Sequence, residues 1–159
     1  LKPLLIKYWD RLSTSFWFLP SIMTAVAIGL AFGSIALDQS VEDAWVREQS
    51  WVFTGGAEGA SLVLSTIAGS MITISGVVFS MTLVALSLAS SQLGPRILRN
   101  FMRDRTNQMV LGTFISTFVY CLLVLRSIRR PEDIEFVPHL SVTLGVAYAL
   151  ASLAVLIYF

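Results

Sequence analysis

Charge is what this sequence has least of. Asp, Glu, Lys and Arg make up 13% of its 159 residues, against roughly 25% in ordinary soluble chains. That deficit excludes a water-soluble globular domain. The formal net charge is only +1, so nothing marks a polyanion such as nucleic acid as a partner. A single cysteine, Cys121, rules out an internal disulfide and reads as a buried structural thiol. A single histidine, His139, has no second His or Cys at ligand spacing, which leaves neither a zinc site nor a Cys/His nucleophile pair. Phosphate-binding loops, nucleophile elbows and dinucleotide fingerprints are missing. No apolar run carries an ionisable residue at its middle, where proton-coupled pumps usually need one. The expectation is a chain that is not an enzyme and uses no cofactor or metal.

What the sequence does have is apolar length. Hydrophobic residues make up 55%, mean hydropathy is +0.75, and the runs are too long for barrel strands of about ten residues. The fold class expected is all-α: a polytopic transmembrane helical bundle of four spans, near residues 16–37, 61–93, 108–126 and 139–159, with interfacial amphipathic helices beside it. Residues 1–15 form one such segment, with Leu4, Leu5, Tyr8, Trp9 and Leu12 on one side and Lys7, Asp10 and Arg11 on the other. No cleavable signal peptide is read there. The chain begins with Leu1 and stops at Phe159 inside an apolar run, and reads as an excerpt of something longer.

In the first span Phe16, Trp17 and Phe18 sit where an aromatic belt belongs, Pro20 suits a first turn, and Gly29 and Gly33 could admit another helix closely. Residues 38–60 form an acidic loop with an apolar interfacial stretch ending at Gly55 and Gly56; it is either a solvated outer loop or an attractor of cations. Gly94 and Pro95 stop the second span. Behind them Arg96, Arg99 and Arg103 share one face of an amphipathic stretch, in contact with anionic lipid headgroups or biasing a nearby mouth toward anions. Lys2, Lys7, Arg11, Arg96, Arg99, Arg103 and Arg105 fall on one side of the membrane, and Arg47, Arg126, Arg129 and Arg130 on the other. Basic residues favour the inner side, so the N-terminus is expected in the cytoplasm.

The second span holds the candidate site. No Asp, Glu, Lys, Arg or Pro interrupts residues 61–93, yet the run is rich in Ser, Thr and Gly, which a helix built only to dissolve in lipid has no use for. Thr66, Ser70, Thr73, Ser80, Ser87 and Ser91 follow mostly steps of three or four, and Ser65, Gly69, Gly76 and Ser80 make a second, overlapping stripe. Two readings stay open. Thr66, Gly69, Ser70, Thr73, Gly76, Ser80 and Ser87 pack closely against another helix, or they line a path at the centre of a homo-oligomer, with Val77, Val84 or Leu88 as an apolar constriction.

Several blocks also carry a resemblance: SxxAGSMIT, GVVFS, SSQxxPRxLRNFxRD and GTFxxTFVYxLLVLRxxR, with FWFLPSIM before them and FVPHLSVTLGVAYALASLAVLIYF after. In these the chain resembles the bacterial predicted-membrane-protein family known as domain of unknown function twenty-two fifty-four. The resemblance implies a multi-span N-terminal membrane region, followed in the family by a soluble C-terminal portion, and it brings no biochemical activity. Taken together, the expectations are a multi-pass protein of the bacterial inner membrane with the lipid bilayer as its first partner. It is a homo-oligomer that is channel-like or transport-related, or an anchoring or assembly module that meets other membrane subunits.

Overall fold

The computed structural model describes residues 18–40, 56–93, 105–128 and 137–158. Within them lie four helices and no strand: α1 (Phe18–Ser40), α2 (Ala57–Leu93), α3 (Arg105–Ser127) and α4 (His139–Tyr158). Each is long and apolar enough to cross a bilayer. The interfacial segment over residues 1–15, the Phe16–Trp17 belt, the loop over residues 41–55, the Gly94–Pro95 break and the Arg96, Arg99 and Arg103 face lie outside the described residues.

Boundaries differ from the apolar runs in instructive ways. The acidic loop was expected to begin at Asp38, yet α1 continues through it to Ser40. Asp38 is held there by contacts with α4, and the Ser40 hydroxyl donates to Ala36 O at 2.9 Å. The second helix begins before residue 61, at Ala57, because Gly56 O accepts the Ala60 N–H at 3.0 Å and closes an extra first turn. Its 37 residues rise about 55 Å at 1.5 Å per residue. α3 ends in a tightened turn, Ile128 N–H to Leu125 O at 3.3 Å.

α3 is the hub. The other three helices all pack on it, α1 most extensively. Of its span 56% is buried, against 22% for α1, 22% for α2 and 28% for α4. This central helix is also the one that carries Asn107, Gln108, Thr113, Ser116, Thr117 and Tyr120, all buried. In lipid the polar helix gains most from protein neighbours, because only protein supplies hydrogen-bond partners there.

The neighbours approach α3 with small residues. α1 presents Pro20, Ala27, Ala31 and Ser34, and α4 presents Ser141, Val142, Gly145, Ala149 and Ser152. Two glycines stand where an added side chain would crowd its neighbours. A Cβ on Gly112 would lie 2.7 Å from Met23 Sδ and 3.1 Å from Pro20 Cα. One on Gly145 would lie 3.1 Å from Leu64 Cδ2. α2 buries Ala57, Ala60, Leu64, Ala68, Met71, Ser75 and Val78, a stripe in steps of three and four. One apolar core gathers Leu64, Ala68, Tyr120, Cys121, Val124 and Val142, and a second gathers Met71, Val78, Val110, Phe114 and Ala149.

Candidate functional site

Burying one stripe of α2 turns the opposite face outward. Thr66, Gly69, Ser70, Thr73, Gly76, Ser80 and Ser87 are all exposed in the protomer. A Cβ built on Gly69 or Gly76 meets nothing within 4 Å. These residues therefore share one side of one helix, and α1, α3 and α4 leave that side uncovered. Gly29 and Gly33 of α1 likewise have nothing within 4 Å.

Three hydroxyls of this face, those of Thr66, Ser70 and Thr73, are satisfied along their own helix. Thr66 Oγ1 donates to Leu62 O at 2.7 Å, Ser70 Oγ to Thr66 O at 2.8 Å and Thr73 Oγ1 to Gly69 O at 2.8 Å. Back-bonding of this kind uses the proton and leaves lone pairs on the oxygen. The face can thus stand in an apolar setting, and it can still accept a hydrogen bond or weakly coordinate a passing group. Beside it, between α2 and the end of α4, an apolar groove of about 510 Å³ is lined by Ile74, Val77, Val78, Met81, Ala85 and Leu156, among others.

Sequence reasoning missed a second set of polar residues, inside the bundle. Helix α4 starts after Pro138, whose side chain has no acceptor to cap it. Asp38, from the last turn of α1, supplies one: its Oδ1 accepts the Leu140 N–H at 2.9 Å and its Oδ2 the Ser141 N–H at 2.8 Å, together with the Ser141 hydroxyl. A carboxylate is a poor companion for the C-terminus of its own helix and a good one for the N-terminus of another. One layer deeper, Tyr120 OH donates to Ser141 O at 3.0 Å and lies 3.1 Å from Ser34 Oγ. The Tyr120 and Tyr148 rings stand 5.8 Å apart between centroids. Further along, Tyr148 OH meets Ser116 Oγ at 3.3 Å and Thr117 Oγ1 meets Ser152 Oγ at 2.7 Å. Near the start of α3, Thr82 Oγ1 donates to Asn107 Oδ1 at 3.3 Å.

These contacts run along the inner side of α3 and tie it to each of the other helices. Among the described residues no buried side-chain oxygen or nitrogen lacks a hydrogen-bond partner. Nor do any three of the described His, Cys, Asp and Glu residues gather where they could hold a metal ion. The inner network acts as cohesion. The outer face of α2 is polar surface that this network does not use.

Comparison with known proteins agrees with this membrane architecture. A family model described as predicted membrane protein, DUF2254, matches residues 13–159. Uncharacterised proteins of Mycobacterium bovis and of two strains of Mycobacterium tuberculosis are each 38% identical to the chain over 151 residues, covering 94% of it. The chain spans 28% of the length of these relatives. No solved structure matches it.

Proposed function

Because this chain belongs to the DUF2254 family of predicted membrane proteins, whose four apolar helices make it an integral membrane protein, we propose that it forms a channel-like or transport-related homo-oligomer with α2 of each copy at the centre. One observation carries the reading: the helix richest in hydroxyls and glycines keeps most of them on a face that its own bundle does not cover. A face turned only to lipid gains nothing from such residues, whereas a face turned to other copies gains close approach and weak acceptors. In this arrangement Thr66, Thr73 and Ser80 border the path, and Val77, Val84 and Leu88 narrow it by dewetting. The role is non-catalytic. The protein sits in the bacterial inner membrane with its N-terminus inside, a placement supported by the distribution of Lys and Arg.

The second reading is an anchor or assembly module that positions a cytoplasmic domain or other membrane subunits. It is favoured by the length of the relatives, of which this chain spans 28%.

Single cysteines separate the two. With Cys121, which is fully buried, replaced by serine, Thr66→Cys, Thr73→Cys and Ser80→Cys are expected to react with a membrane-impermeant thiol reagent in intact membranes. Ile72→Cys, exposed on another side of α2, is expected to stay unreactive. Protection of all three face positions would remove the path and leave the anchor.

A further inference from the structure

The groove between α2 and the end of α4 has a lining that calls for an apolar occupant. On α2 it follows Ile74, Val78, Met81 and Ala85, a flank in steps of three and four, and Leu156 closes it from α4. Its two hydroxyls are already bonded: Thr73 Oγ1 donates to Gly69 O and Thr82 Oγ1 to Val78 O, each at 2.8 Å. Thr73 and Val77 form its border with the hydroxyl face, so the groove runs beside that face. From Thr73 to Ala85 the lining extends about 18 Å at 1.5 Å per residue, close to half of the ~30 Å hydrocarbon core of a bilayer. Spread over that length, the volume of about 510 Å³ gives a cross-section of about 28 Å², against roughly 80 Å² for a helix about 10 Å across. A hydrocarbon tail fits this space and a helix does not.

Charge at one end of the groove indicates which lipid the tail belongs to. Thr82, near that end of the lining, also donates to Asn107 Oδ1 at 3.3 Å, and α3 begins just before Asn107, at Arg105. The groove therefore opens beside the N-terminus of α3, the end at which a helix dipole favours an anion. The connection that leads from α2 into α3 carries Arg96, Arg99 and Arg103 against a single acid, Asp104. Away from that end, down to Thr73, every lining residue is uncharged. Positive charge at one end and apolar surface along the rest complement a molecule with an anionic head and a hydrocarbon tail.

We propose that this groove holds one acyl tail of an anionic phospholipid, with the headgroup toward the start of α3 and the tail running along α2 toward Thr73. Ile74, Val78, Met81, Ala85 and Leu156 hold the tail, and the arginine-rich approach to α3 selects the sign of the head. The site lies on the flank of α2 and does not depend on the path proposed for its hydroxyl face.

Lipid retention in native mass spectrometry tests it. The unaltered protein, purified in mild detergent and given equal amounts of phosphatidylglycerol and phosphatidylcholine with the same tails, is expected to retain the anionic lipid in severalfold excess. Equal retention overturns the choice of lipid. Excess glycerol phosphate, a head without tails, is expected to leave the bound lipid in place; displacement would reveal a phosphate site alone and overturn the groove. Ala85→Trp, at an exposed position of the lining, is expected to lower retention severalfold. Leu83→Trp, exposed on the opposite side of α2, is expected to leave it unchanged, with both variants keeping the thermal midpoint of the unaltered protein. Loss in both variants, or in neither, overturns the groove as the seat of the tail. None of these readings measures water access, so thiol reactivity at Thr66→Cys can fail with the lipid still bound, and the lipid can be lost with that reactivity intact.

Discussion

The glycines of this protein fall into two kinds, and the difference is one of neighbours. Gly112 lies under α1, where an added methyl meets the Pro20 backbone at 3.1 Å as well as the flexible end of Met23. A side chain can swing away, but a buried helix backbone cannot, so one of the two helices must move. Gly112→Ala is expected to lower the stability of the solubilised protein by about 1–3 kcal/mol, the usual range for overpacking, read as a lower thermal midpoint. Gly69→Ala meets only open space and, in the isolated protomer, removes backbone freedom from the unfolded chain. Its midpoint is expected to stay level or rise slightly. Equal losses at the two positions would contradict the packing described for α1 and α3.

Between elements, the decisive contact is the one Asp38 makes across the bundle. It closes the N-terminus of α4 from the end of α1, and Tyr120 of α3 joins through Ser141. Asp38→Ala leaves the N–H groups of Leu140 and Ser141 without their acceptor, a loss of about 1–2 kcal/mol by the scale of helix caps. Asp38→Asn, which keeps one oxygen, is expected to fall between. A midpoint unchanged in Asp38→Ala would show that the clasp contributes nothing. No local pattern announces this contact, because the partners are 102 and 103 residues apart and Asp38 reads in isolation as the first residue of an acidic loop. The four spans were readable, since apolar length alone reports them. Which span would be the hub was not. Thr113, Ser116, Thr117 and Tyr120 on α3 are spaced much like the hydroxyls of α2, and only the arrangement of neighbouring helices makes one set buried and the other exposed.

At the scale of the whole molecule, the bundle is satisfied inside and keeps a polar face outside. Its interior polar groups are partnered among the described residues, and two apolar clusters follow one another along the buried side of α2 from Ala60 to Val78. The other side of the same helix offers Thr66, Gly69, Thr73, Gly76 and Ser80 to whatever lies beside it. The account holds that this is another copy of the chain. The mass of the purified chain released from a mild detergent in native mass spectrometry asks that question directly. A multiple of the mass of one copy is expected, collapsing to a single copy when Gly76→Leu fills the open face. A lone single copy for the unaltered protein, or a multimer indifferent to Gly76→Leu, would contradict it.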